Sequence, residues 1–284
     1  MKVAVTGATG FIGRHVVAQL ENEGVSPTLV CRPGSPRPAG FSSHRVVEMD
    51  IADARPDAYD RVGRPGVVIH LAWGGLPNYS SQRHLDHELP AQRSFLDGLL
   101  MAGLSSLTVT GTCLEYGLQS GALREDMPTA PVTAYGSAKD ELRGELERRR
   151  QNQPFNLTWA RLFYLHGEGQ AAGSLLPQLE SAIARRDATF NMSGGQQMRD
   201  YLPVDEAARY LVALAMNGRD NGVVNVCSGR PVAVRELVEA AVRSHGSSIQ
   251  LNLGHFPYPD YEPMSFWGDP EKLTRILESR DEAV

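Results

Sequence analysis

The sequence predicts an α/β fold: a doubly wound parallel sheet with a smaller C-terminal lobe. Three observations predict it. Short runs rich in Val, Leu and Ile recur through the first half of the chain, helical periodicity fills several of the gaps, and a glycine-rich turn joins the first run to the first helix. A strand that is apolar on both faces belongs in a sheet covered on both sides. Alternation of strand and helix makes that sheet parallel.

In order, "KVAVT", "PTLVC", "RVVEM", "GVVIHLA", "SLTVTG" and "NLTWARL" read as buried strands, and residues 11–23, 82–102 and 134–150 as helices. After residue 163 the pattern loosens into Gly- and Pro-rich loops, helices over about 174–186 and 204–217, the strand "GVVNVC", and a tail containing "GHFPYPDYEP". Residues 1–165 with about 196–226 are expected to form the main domain, and about 166–195 with 227–284 the smaller lobe.

A chain of 284 residues, 42% hydrophobic, buries a large core. Its formal charge of -5, with no basic run longer than Arg148–Arg150, argues against a nucleic-acid surface. Those arginines close a helix, near its free carbonyls. The first residues enter a strand pattern without a leader, and no apolar run reaches membrane length, so a cytoplasmic protein with no membrane contact is expected. Cys31, Cys113 and Cys227 form no C-x-x-C, which fits reduced thiols and excludes a cysteine zinc site.

The turn "VTGATGFIG" places Gly7, Gly10 and Gly13 between the first strand and the first helix, where helix-terminal amides bind a pyrophosphate. Thr9, Phe11 and Ile12 within it, and Leu71 and Ala72 at the end of "GVVIHLA", complete the expected cradle for a dinucleotide. At the end of the second strand, where an NAD site carries a carboxylate for the ribose, stand Cys31 and Arg32, followed by Arg37. A guanidinium there binds a 2′-phosphate, so NADP(H) is the expected cofactor; otherwise Arg32 only caps an exposed loop. Asp50 and Ile51 offer an edge for adenine, and Asp50 is equally suited to be an N-cap.

"TVTGTCLEYG" precedes "TAYGSAKDEL", and Tyr135 and Lys139 fall one helical turn apart. With "TGATGFIG", "VIHLAW", "RLFYLHGEG", "MRDYLPVDEAARYL" and "NVCSG" in the same order, the chain resembles the extended short-chain dehydrogenase/reductases that act on nucleotide-activated sugars. The resemblance implies a Rossmann-type domain, a C-terminal sugar-nucleotide lobe, and Thr112, Tyr135 and Lys139 as the catalytic residues. Lys139 is expected to hold the nicotinamide ribose and to draw the Tyr135 phenol down from its ordinary pKa near 10. Thr112 would fix the substrate oxygen.

Departures from the family select the reaction. Dehydratases of the group carry an Asp and a Glu after the catalytic Thr, and here those positions are Cys113 and Leu114. Epimerases that retain NAD keep an acidic group at the ribose, where this chain has Cys31 and Arg32. The expectation is a 4-ketoreductase that consumes NADPH on a nucleotide-bound 4-keto-6-deoxyhexose, with a retained-cofactor epimerase as the alternative. An epimerase-reductase using Cys113 and His166 is a rival, against which Cys113 reads as a small buried residue. Family members that have lost catalysis and sense NADP are another class, which typically lacks the Tyr or Lys present here.

For substrate, the resemblance maps the diphosphate-binding arginine onto Arg199; the plain alternative pairs it with Asp200 or Asp205. Asp205 is expected to cap the helix after it. Tyr164 stands where the family often has a phosphate-binding Asn, and the tail lacks the usual Arg before its last helix. Trp73, Tyr79 and Trp267 line the pocket or belong to the core. His84, His87 and Glu88 share a helical turn but lack further ligands, so they read as a solvated face and no metal is expected. Resemblance also implies a homodimer through helices 82–102 and 134–150.

Overall fold

The computed structural model describes residues 1–36, 41–53 and 56–281; Arg37 lies outside them. Seven parallel strands form the central sheet: β1 (Val3–Thr6), β2 (Thr28–Cys31), β3 (Val46–Glu48), β4 (Val67–His70), β5 (Ser106–Thr112), then, after β6 (Gly121–Leu123), β7 (Asn156–Leu162), and later β11 (Gly222–Val226). Between these last two lie β8 (Tyr164–His166), β9 (Thr189–Asn191) and β10 (Met198–Pro203). Beyond them come β12 (Pro231–Ala233), β13 (Gln250–Asn252) and β14 (Phe266–Gly268). The spatial order β11-β7-β5-β4-β1-β2-β3 reverses direction between β1 and β4. The expected doubly wound α/β class is the one observed.

Residue alternation explains the two layers. Val3 and Val5 of β1 enter one core while Ala4 enters the other, and Val67 and Ile69 of β4 oppose Val68 in the same way. Helices α1 (Phe11–Asn22) and, later, α6 (Val204–Met216) cover the first face with Val16, Leu20, Ala207 and Leu211. After the short α2 (Ala58–Arg61), α3 (Leu89–Met101) and α4 (Ala134–Asn152) cover the second with Phe95, Leu96, Leu99, Leu142 and Leu146. Burying one such leucine contributes about 2 kcal/mol.

A separate small core joins α5 (Leu175–Ala184) to α7 (Val234–Ser244) and to the β9-β13 pair through Leu179, Phe190, Val238 and Ile249. β10 lies between β8 and β12 in a sheet of its own. The tail returns: β14 pairs with β6, and α8 (Glu271–Asp281) packs on β11 and α6. Among the described residues no helix is long and apolar enough to cross a membrane.

Two local expectations are corrected. Asp205 does not cap α6: Pro203 holds the N-cap position, and Asp205 sits in the first turn, where its charge complements the helix dipole. The arginines ending α4 are not merely solvated, since Arg149 pairs with Asp97 at 2.8 Å and Arg150 with Asp220 at 2.6 Å.

At the centre of the sheet, buried His70 ties β1 to β4 and α3. Gln92 Oε1 can only accept from the ring, so Nε2 carries the proton, and Nδ1 accepts from Thr6 Oγ1 at 2.9 Å. Thr6 Oγ1 in turn accepts from the Leu71 and Ala72 amides at 3.2 and 3.3 Å. Burial pulls the imidazole down to about 4, against the Gln92 hydrogen bond and with help from Lys139. The folded chain therefore binds fewer protons at this residue than the unfolded chain between pH 6.5 and 4. Stability should fall by roughly 3 kcal/mol as pH drops through that window, and urea unfolding of the native chain beside His70→Gln should show the slope flattened in the variant.

Candidate active site

The order reversal between β1 and β4 opens a crevice at their carboxyl ends, the place where open parallel sheets bind ligands. Gly7 turns the chain out of β1 with φ of 68°, and a Cβ there would lie 2.8 Å from the Ala72 amide nitrogen. At Gly13 a Cβ would overlap the Gly7 carbonyl. Gly10 is the N-cap of α1, so the amides of its first turn face the crevice. This cradle fits the pyrophosphate of a dinucleotide.

The cleft, of about 310 Å³, is lined by Gly7, Thr9, Gly10, Arg32, Asp50, Ile51, Leu71, Ala72 and Trp73, as expected from sequence, and also by Arg83, His87, Glu88 and Ala91. The side chains of Phe11 and Ile12 turn away from it, Ile12 packing against the core and Phe11 lying edge-on to His15, so only their backbone amides are presented at the start of α1. Asp50 caps a 3-10 turn, its Oδ1 accepting from the Ala52 amide at 3.0 Å, and the residue also borders the cleft. Arg32 is exposed and makes no ion pair among the described residues. Its guanidinium is available to a phosphate.

Thr112, Tyr135 and Lys139 meet where β5 ends and α4 begins. Thr112 opens the 3-10 turn Cys113–Tyr116, and its Oγ1 accepts from the Leu114 amide at 3.3 Å, which leaves the hydroxyl proton free to donate. Thr133 caps α4 by accepting from the Gly136 amide at 3.0 Å. The Tyr135 amide donates to Tyr79 O at 2.9 Å. Lys139 Nζ donates to Thr110 O at 2.7 Å and lies 3.9 Å from the centroid of the Trp73 ring. Trp73, Tyr79 and His84 surround the Tyr135 ring with centroids 5.8, 5.7 and 5.2 Å away.

Burial governs this centre. It lowers the Lys139 ammonium to about 7, with Glu115 and Glu88 pulling it back up. The same burial pushes the Tyr135 phenol up, and neighbouring Tyr79, Glu115 and Cys113 add to the rise. The phenol is thus pushed up where the expectation was a phenol drawn down by Lys139, and desolvation is the main cause. A phenol in this state keeps its proton until something takes it.

The solvated face expected at His84, His87 and Glu88 is also corrected. A π-helical turn, His84–Glu88, precedes α3 and turns His84 and Glu88 inward, leaving only His87 exposed. His84 Nδ1 accepts from Trp73 Nε1 at 3.1 Å and its Nε2 donates to Asn78 O at 2.8 Å; Glu88 accepts from the Gly74 amide at 2.9 Å. Among the described residues no cluster is placed to hold a metal ion.

On the substrate side, Arg199 pairs with neither Asp200 nor Asp205. It is 2% exposed and donates to Glu262 at 2.9 Å, while Tyr164 donates its hydroxyl to the same carboxyl group. Asp200 instead accepts from the Ser228 and Gly229 amides at 2.7 and 2.8 Å. Cys113 packs with Tyr116, Phe163 and Phe266, and burial pushes its thiol up. Trp267 is carried on β14 beside β6 and does not line the cleft.

Glu115 was missed from sequence although its signal was present: Thr112 and Glu115 have capping-box spacing, and both reciprocal bonds form. Glu262 gave no such signal, since its partners lie 98 and 63 residues away.

His84→Ala leaves the Trp73 indole N–H without its acceptor in a buried wall. It should cost about 2 kcal/mol in urea unfolding, and a change below about 0.5 kcal/mol would show that the bond between Trp73 and His84 carries no weight.

Residues 3–227 match the NAD dependent epimerase/dehydratase family. The dTDP-6-deoxy-L-talose 4-dehydrogenase (NAD(+)) of Aggregatibacter actinomycetemcomitans is 27% identical over 94% of this chain and 99% of its own. The dTDP-6-deoxy-L-talose 4-dehydrogenase (NAD(P)(+)) of Kitasatospora kifunensis is 28% identical over 91% and 83%. Among solved structures, MoeE5 in complex with UDP-glucuronic acid and NAD is similar at 25% identity with a TM-score of 0.83, covering 98% of this chain and 93% of that one. The match runs from β1 past β11 and so takes in the glycine cradle, the Thr112 turn and α4. This chain is a member of the NAD dependent epimerase/dehydratase family, the extended short-chain dehydrogenase/reductases.

Proposed function

We propose that the protein reduces the C4 ketone of a nucleotide-activated 4-keto-6-deoxyhexose, dTDP-linked, with NADPH. The observation that carries this reading is the convergence of Thr112, Tyr135 and Lys139 beside a glycine cradle whose ribose end carries Arg32. Two named relatives act at C4 of dTDP-6-deoxy-L-talose, which supports the substrate class.

When bound, the reduced dinucleotide supplies a hydride to the carbonyl carbon. Tyr135 gives its hydroxyl proton to the carbonyl oxygen, so one C–H and one O–H bond form and an alcohol results. A phenol pushed up by burial is the protonated donor this direction requires. The Thr112 hydroxyl donates to the same oxygen and fixes it. Lys139, with one Nζ proton held by Thr110, has two left for the ribose. Leu114 cannot carry protons and the Cys113 thiol is held neutral, which speaks against water elimination and against the epimerase-reductase rival.

Gly7, Gly10 and the first turn of α1 would hold the pyrophosphate, Asp50 and Ile51 the adenine edge, and Arg32 the 2′-phosphate. The same reading assigns residues 1–165 and about 196–226 to the dinucleotide, and 166–195 with 227–284 to the sugar nucleotide; the separate core around Leu179 and Val238 supports that division. Cys113, Trp73, Tyr164 and Arg199 would border the substrate. A homodimer through α3 and α4 completes the proposal.

Mixing the protein with dTDP-4-keto-6-deoxyglucose should consume NADPH faster than NADH, followed by absorbance. Tyr135→Phe should lower kcat by about 10²–10⁴. Arg32→Ala should raise the KM for NADPH about tenfold while leaving that for NADH unchanged. Equal use of NADH would overturn the cofactor assignment. No consumption of either would shift the reading to a retained-cofactor epimerase.

A further inference from the structure

Glu115 has no part in the roles assigned above, yet its carboxylate is the most heavily engaged beneath the reaction centre. It is fully buried, in the turn that Thr112 opens. Oε1 accepts from the Thr112 amide at 2.8 Å and from Trp159 Nε1 at 3.0 Å. Oε2 accepts from Arg161 Nε at 2.7 Å, with Arg143 Nε at 3.9 Å. Arg161 is itself 1% exposed, stacked 4.4 Å over the Tyr116 ring, and its Nη1 has no hydrogen-bond partner. At Gly111 a side chain would lie 2.5 Å from Glu115 Oε1, so the strand is kept bare there for the carboxylate to approach.

A buried pair of this kind adds little stability, since desolving both charges offsets their attraction and an apolar pair would pack as well. Its location suggests another use. Thr110 and Thr112 are alternate residues at the end of β5: the carbonyl of the first accepts a hydrogen bond from Lys139, and the amide of the second donates one to Glu115. The groups that face Lys139 are Glu115 from the turn, Glu88 from the π-helical turn, His70 from β4, Tyr135 on its own helix and the Trp73 ring. Of these only the two glutamates carry negative charge.

We infer that Glu115 is a positioning residue of the reaction centre: its buried carboxylate holds the Thr112 backbone so that the hydroxyl faces substrate, and it is the counter-charge on which the Lys139 ammonium depends. The inference rests on the roles proposed for Thr112 and Lys139. Removing the charge leaves burial opposed by Glu88 alone, so the lysine gives up its proton at lower pH. Any step that needs the ammonium then fails earlier as pH rises.

The chain has three lysines, Lys2, Lys139 and Lys272, so ε-¹³C-lysine NMR resolves each titration in the full-length protein. In Glu115→Gln, which keeps an acceptor for the Thr112 amide, the Lys139 midpoint should move down by about one pH unit while the other two stay in place. An unchanged Lys139 midpoint would overturn the inference. If the bare Arg161 guanidinium prevents folding, the double variant Glu115→Leu, Arg161→Met is read instead, with a smaller downward move expected because the guanidinium that partly offsets the carboxylate leaves with it. With ketosugar, Glu115→Gln should lower kcat and move its alkaline limb downward with substrate KM held, and Glu115→Asp should restore the limb. A native chain that turns over no ketosugar would remove the proposed function, and the lysine titration would still decide whether Glu115 is the counter-charge.

Discussion

Parallel pairing of β1 with β4, at the point where the strand order reverses, is the constraint from which the rest of this structure follows. Helices leave the two strands on opposite faces, so the loops after Thr6 and His70 must diverge and a crevice opens between them. The divergence is held by Thr6 Oγ1, which accepts from both the Leu71 and Ala72 amides, and by Gln92, which donates to the Ala72 carbonyl at 3.0 Å. Gly7 then passes close to Ala72 with no side chain in the way. A hydrogen-bond network at the sheet centre thereby sets the shape of a cleft at its edge.

Desolvation is the second organising influence. The same burial holds His70 neutral, lowers Lys139 and raises Tyr135 and Cys113, because it penalises whichever form of each group is charged. Side chains that would all be reactive in water acquire distinct roles. The phenol and the thiol both keep their protons. At Lys139 burial and the charges of Glu115 and Glu88 act in opposite directions on the ammonium.

The cluster around Arg199 follows a different logic. Arg199 is neutralised by Glu262, which also accepts from Tyr164, so three residues from β8, β10 and the tail form one closed cluster rather than an open cationic patch. The guanidinium is thus already matched by a carboxylate in the folded chain. The tail is thus tied to β8 and β10 through Glu262.

The strands and helices, the glycine cradle, the Tyr135 to Lys139 spacing and the family were legible in the sequence, because each depends on periodicity or on residues near one another in the chain. Glu115 was legible too, as a capping box, although not its link to Arg161 and Trp159 on the neighbouring strand. The inward turn of His84 and Glu88, the Glu262 partner of Arg199 and the rise of the Tyr135 phenol were decided by tertiary structure alone. Each results from groups brought together across tens of residues, or from water excluded by their packing. Neither leaves a local pattern: a strand announces its buried faces by alternation, but the electrostatic environment of a side chain exists only once the chain has closed around it.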